Sequence, residues 1–253
     1  TIGYLSAGKL NDVKCQDHML ASAHALAQGW KNKVEPDSSL IRDKLGKAVS
    51  EAFVREGGII AQLDMMEIDN EYYSAHCDLT NSDSCTNEVE KVIGTYGKID
   101  VVANIAGGFT MGETVYETSE KTWEFMLNLN TLTVLNMAKA AIPKMIERKS
   151  GRFINIAAMA GLGGSNLMGA YSASKSAVVR LTESLAEEVR AKGIAVNCVL
   201  PSIIDTPRNR IDMPNEDFSK WVSPEDLANI IVFLGSAFAG PINGAAIPIK
   251  GLS

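Results

Sequence analysis

This chain of 253 residues has no long apolar run and no excess of positive charge. No stretch approaches the eighteen or so apolar residues that cross a bilayer, and the N-terminus shows no basic segment leading into an apolar one. The expectation is a cytoplasmic protein without a membrane partner. Lys and Arg total 24 against 30 Asp and Glu, a net charge of -6. A nucleic-acid surface normally carries a basic stripe, so no nucleic-acid partner is expected. Only four cysteines occur, Cys15, Cys77, Cys85 and Cys198, none in Cys-x-x-Cys spacing. They are expected to be reduced and buried. The histidines, His18, His24 and His76, form no i,i+4 pair and lie in no Cys/His/carboxylate cluster, so no metal site is expected.

What is present from about residue 46 onward is alternation of helical stretches with short apolar runs. That is the signature of a parallel sheet covered on both faces, and the length suits one α/β domain. Helices are expected from Lys47 to Arg55, from Ser82 as cap to about Tyr96 with Gly97 ending it, and from Glu120 to Arg148 with an interruption near Pro143. Another follows Tyr171, placing Ala177, Val178, Leu181 and Leu185 toward the core until Gly193 stops it, and Ser223-Pro224 starts a last one. Strands are expected at Ile59–Leu63, Ser74–Cys77, Ile99–Asn104, Arg152–Ile156, Ile194–Val199 and, near a sheet edge because of Pro248, Ala245–Ile249. The long connection from Pro201 to Val222, ahead of Ser223, reads as a lid over a bound substrate.

Tyr171 and Lys175 stand four residues apart, so on a helix they share one face. An ammonium beside a phenol favours the phenolate, and a tyrosine tuned in this way trades protons with an alcohol or a carbonyl. The spacing alone is common. Its surroundings give it weight: Asn104-Ile105-Ala106-Gly107 after an apolar run, Asn130 within Asn128-Leu129-Asn130, Pro201-Ser202-Ile203-Ile204-Asp205-Thr206, and the tail Asn243-Gly244-Ala245-Ala246-Ile247-Pro248-Ile249.

In order and spacing these pieces resemble the short-chain dehydrogenase/reductase family over roughly residues 44 to 253. The resemblance implies a Rossmann-like, doubly wound parallel sheet in a single domain and hydride transfer between NAD(H) and a small secondary alcohol or ketone. It implies Tyr171, Lys175 and Asn130 as the catalytic residues. Tyr171 exchanges the proton, Lys175 lowers its pKa and binds the nicotinamide ribose, and Asn130 joins the lysine to a proton relay. On the cofactor side it implies Gly46 at the end of the phosphate loop, Asp64 on the adenosine ribose, Asp78 on the adenine, and Asn104, Ala106 and Gly107 as the floor. Pro201, Ile204 and Thr206 contact the cofactor from the far side. A 2′-phosphate would be repelled by Asp64, so NAD is expected over NADP. A homo-oligomer, tetramer or dimer, is the expected assembly.

Two departures stand beside the matches. Ala158 occupies the position of the family's serine, thirteen residues before Tyr171, and Ser165 is the nearby hydroxyl that would replace it. Registered from Gly46, the phosphate-loop glycines fall on Leu40 and Lys44, after a Pro- and acid-containing stretch, Glu35 to Lys44, that does not read as a buried strand. Three explanations stay open. The first strand comes from Ile2–Gly8, with Asp17 to Gln28 as an added helix; or the chain is a degenerate member that has lost the nucleotide; or the stretch before Gly46 is not the natural one. The second keeps the fold as a binding or scaffold protein with little or no turnover. Between Asp64 and His76 there is also little room for a joining helix.

Overall fold

The computed structural model of the chain describes residues 20–22, 44–65 and 72–252. Its strands are β1 (Leu20–Ser22), β2 (Ala61–Asp64), β3 (Tyr73–His76), β4 (Val101–Asn104), β5 (Gly151–Ile156), β6 (Ile194–Pro201) and β7 (Ala246–Ile249). All pair in parallel, in the order β3-β2-β1-β4-β5-β6-β7. The order reverses between β1 and β4, and in open sheets of this kind ligands bind at the carboxyl ends of the strands beside such a switch. The expected doubly wound α/β architecture is the one observed.

The helices are α1 (Lys44–Arg55), α2 (Ser82–Tyr96), α3 (Glu120–Leu127), α4 (Thr133–Arg148), α5 (Gly169–Val189), α6 (Pro207–Asp212) and α7 (Pro224–Gly235). Successive strand residues point to opposite faces, so β4 sends Val102 into one core and Val101 and Ala103 into the other. The first core lies under α2, α4 and α5, with Val89, Met137, Phe153 and Val178; the second lies under α1 and α7, with Val49, Phe53, Ile154 and Leu234. Because both faces are covered, all eight residues of β6 are buried. Pro248 lies on the edge strand β7, where a missing N–H costs no ladder bond.

Five expectations change. The strand beside β2 and β4 is Leu20–Ser22. It lies inside the stretch expected as an added helix, Asp17 to Gln28, whose remainder falls with Ile2–Gly8 outside the described residues. The N-cap of α2 is Asn81, which accepts from Asp83 N and Ser84 N, one residue earlier than expected; Gly97 ends the helix at φ +84°. Pro143 lies inside α4, and the long helical stretch is broken instead by a π turn, Asn128–Leu132. On α5 the buried stripe is Lys175, Val178, Val179, Thr182, Ala186 and Val189; of the residues expected toward the core Val178 is in it, Leu185 packs half-buried against it, and Ala177 and Leu181 are half-buried. The connection after β6 is not a bare loop: it holds α6 and a short 3-10 turn, Phe218–Lys220.

Candidate active site

The π turn is where the site begins. A π turn adds one residue to a helical stretch and is found disproportionately at functional positions. Here it buries Asn130 and aims its amide at the loop that leaves β4. Asn130 Oδ1 accepts from Gly108 N at 2.9 Å, and Nδ2 donates to Gly108 O at 3.0 Å and to Ser174 Oγ at 3.0 Å. Gly107 lies directly on this cluster. A Cβ there would sit 2.8 Å from Asn130 Oδ1 and 3.0 Å from Lys175 Nζ, so only glycine lets the backbone pass.

Lys175 is 5% exposed, and its Nζ donates to Ile156 O, the last carbonyl of β5, at 2.9 Å. Burial pushes its pKa down to about 8, an effect the Cys198 thiol partly opposes. Tyr171 is half-buried, with Phe109 meeting it edge to face at 4.9 Å between ring centroids. Burial raises its pKa to about 12. The expected lowering of the phenol by the lysine is therefore reversed. Lys175 spends its donor on Ile156, its own charge is disfavoured where it lies, and desolvation dominates at Tyr171.

The structure brings Tyr171, Lys175, Asn130 and Gly107 to the carboxyl ends of β4 and β5, with Ala106 buried beside them. Other expected residues have local partners. Asn104 is buried and donates to Asn155 Oδ1 at 2.8 Å, and Asn155 donates in turn to Thr182, so Asn104 ties β4 to β5. Asp78 Oδ1 accepts from Thr80 N and Thr80 Oγ1, a turn closed on itself. Thr206 Oγ1 caps α6 through Asn209 N. Ile204 bridges to Val222 and its carbonyl accepts from Asn209, while Pro201 ends β6 in the core. Gly46 is buried in the first turn of α1, where its carbonyl accepts from Ser50 Oγ at 2.7 Å. Leu40 lies outside the described residues, and Lys44 is the exposed first residue of α1.

Ala158 is buried where a serine was looked for, and Ser165 is exposed. The engaged atom of Ser165 is its carbonyl, which accepts from Met168 N at 3.3 Å. Three groups escaped the sequence reading: Ser174, the Ile156 carbonyl and Phe109. Ser174 was visible only as the third residue after Tyr171. The other two had no signal, since nothing in sequence joins Ile156 to Lys175 or Phe109 to Tyr171.

Cys77, Cys85 and Cys198 are buried free thiols, as expected of them; Cys15 lies outside the described residues. Among the described residues no helix is long and apolar enough to cross a membrane, and no group of His, Cys, Asp and Glu is arranged to hold a metal ion.

The model of the short chain dehydrogenase family matches residues 45–217. A 3-oxoacyl-[acyl-carrier-protein] reductase of Thermotoga maritima is 29% identical over 228 residues, covering 82% of this chain and 92% of its own. Dehydrogenase/reductase SDR family member 6 of Rattus norvegicus is 32% identical over 225 residues, covering 82% and 91%. Among solved structures, ligand-free aldohexose dehydrogenase of Thermoplasma acidophilum superposes with a TM-score of 0.76 at 24% identity, covering 93% of this chain and 94% of its own. A tyrosine-to-phenylalanine variant of ElxO with NADPH bound gives 0.76 at 22%, covering 93% and 98%. That NADPH complex overturns the expected preference for NAD over NADP. The carboxylate on which that preference rested, Asp64, is only 2% exposed. Matched over most of its length and carrying the tyrosine, lysine and asparagine at one sheet end, the chain belongs to the short-chain dehydrogenase/reductase family, the NAD(P)-dependent oxidoreductases that transfer a hydride.

Proposed function

We propose that Tyr171 Oη exchanges the proton while a small secondary alcohol or ketone is oxidised or reduced beside Gly107. The observation that carries this reading is the convergence of Tyr171, Lys175, Asn130 and Gly107 at the carboxyl ends of β4 and β5, beside the switch point of the sheet. A nicotinamide dinucleotide, when bound, supplies or accepts the hydride. The residues fit its nicotinamide end: with no Cβ at Gly107, the Lys175 ammonium comes up against the turn that leaves β4. Lys175 Nζ, already bonded to Ile156 O, keeps two further hydrogens for a ribose hydroxyl. Asp64 and Asp78 border the adenosine end, and Pro201, Ile204 and Thr206 the opposite flank.

Phe109 and Ala158 bring apolar groups to the reacting centre. They favour an apolar substituent on the substrate carbon. The segment 201–223 is the lid in this reading. The reading extends to a cytoplasmic homo-oligomer, for which the three buried reduced thiols and the family resemblance speak; light scattering checks the assembly. Titration with NADPH and with NADH, followed by nicotinamide fluorescence, tests the core of it. Saturation by at least one below millimolar concentration is expected, followed by turnover in a screen of ketones and alcohols. Failure of both cofactors to bind at millimolar concentration would leave the rival reading, a binding protein of the same fold, to which Ala158 already points.

A further inference from the structure

This inference rests on the reading of Tyr171, Lys175 and Asn130 as the reacting centre. Ser174 is fully buried on α5, between Tyr171 and Lys175 in the chain. Its hydroxyl donates to Tyr171 O at 2.8 Å, which leaves its lone pairs to Asn130, and it accepts from Asn130 Nδ2 at 3.0 Å. Its carbonyl accepts from Thr131 Oγ1 at 3.0 Å. The π turn is thus bound to one residue of α5 from two sides.

An amide nitrogen has two hydrogens, and here each has a destination: Gly108 O takes one and Ser174 Oγ the other. Without the hydroxyl, the second hydrogen is left in a fully buried place whose remaining neighbour is Met126 Sδ at 3.8 Å, a weak acceptor. Rotation of the amide toward the sulfur would draw Oδ1 away from Gly108 N. Asn130 Oδ1 and Lys175 Nζ both border the one position that a Cβ at Gly107 would take, so a shift of the amide changes the surroundings of the lysine at that turn.

We propose that Ser174 is a positioning residue, whose hydroxyl sets the Asn130 amide and thereby holds the Gly107–Gly108 turn and Lys175 in register with Tyr171. The test reads the turn directly, by amide hydrogen exchange of Gly108 in the full chain. Ser174→Ala should speed that exchange about tenfold while the amides of β5 keep their rates. In an Asn130→Ala background, where the bond is already gone, the same substitution should change it little. Turnover should follow the same pattern: kcat down about tenfold in the parent, little further in Asn130→Ala, with substrate KM within about twofold. Unchanged Gly108 exchange in a folded Ser174→Ala protein overturns the proposal, as does an equal loss in both backgrounds. Should Ser174→Ala not fold, Ser174→Cys, of similar size but a weak acceptor, must shift the exchange in the same direction or the proposal falls. The exchange readout needs no turnover. An inactive parent whose Gly108 still responds would sink the reaction reading and leave the coupling standing.

Discussion

The end of α5 that carries Tyr171 and the segment from 201 to 223 differ in how they are bonded. Around Tyr171 the ties join residues far apart in sequence: Lys175 to Ile156, Asn130 to Gly108 and Ser174, Asn104 to Asn155. These are mostly buried, and each depends on the whole sheet being in place. In the other segment most side-chain bonds reach only two to five residues, Thr206 with Asn209, Arg210 with Asp205, Arg208 with Asp212 and Asp217 with Ser219, while its two ends are tied to the tail, Ser202 to Ile249 and Lys250 and Lys220 to Leu252. Arg210 also lies over the Phe218 ring at 4.8 Å. Buried networks fix one geometry because a broken member leaves an orphaned polar group. The stretch between those anchored ends, bonded within itself, keeps its internal form if it moves, which is what the proposed lid needs.

Substitutions sharpen this contrast, and the largest effect belongs to the networked side. Tyr171→Phe is expected to lower kcat about a thousandfold while leaving cofactor fluorescence titration unchanged, because the proton donor alone is lost. Lys175→Met comes next and reads out as stability against pH. The folded-state pKa of about 8 lies below the ordinary 10.5, so between those values the unfolded chain holds the extra proton and the parent gains stability as pH rises. A lowering of this size corresponds to about 3 kcal/mol. Urea denaturation should show the variant at its greatest advantage below pH 8, an advantage that shrinks toward pH 10; a pH-independent difference would show that the ammonium is not desolvated.

Ala158→Ser restores a donor of the family's kind and is expected to raise kcat by up to about a hundredfold. A neutral result in steady-state kinetics would mean that the substrate oxygen does not face residue 158. Gly107→Ala pushes a methyl into Asn130 Oδ1 and Lys175 Nζ and should cost about 2 kcal/mol in thermal unfolding, along with most of the activity. The smallest effect falls on the self-bonded side. Arg210→Ala removes a half-exposed ion pair, so Tm should stay within about a degree or two while substrate KM rises. A large loss of stability there would erase the distinction between the two regions.

The same contrast governs what was legible beforehand. β4, β5 and β6 announce themselves because burial on both faces makes them mostly apolar, and the Ser223-Pro224 start and the Gly97 stop are written in the capping residues themselves. The meeting of Tyr171 with Lys175 is set by helical spacing. Features that arise only through tertiary contact were not legible. Three residues, Leu20–Ser22, carry too little pattern to declare a strand. The π turn has the composition of any helix, so the break was assigned to Pro143, the one residue with a known cost. Desolvation of Tyr171 and Lys175 reversed an argument built on their nearness alone. Asp78 and Thr206 went the other way: each sits in a local signature, Asp78-Leu79-Thr80 and Thr206-Pro207, whose short-range bonds compete with a role toward a ligand.

The extra residue in the π turn has a consequence for the long helical stretch that contains it. One residue beyond a regular repeat turns everything downstream by about 100° relative to everything upstream. The stretch from Glu120 to Arg148 is therefore two rods in different phase joined by a clutch. Ahead of the joint a single side chain, Met126, is fully enclosed; behind it Val134, Met137, Ala141 and Met145 seat the rod on the sheet. The two rods can each change their outward residues without disturbing the other, provided the five positions between them keep their count.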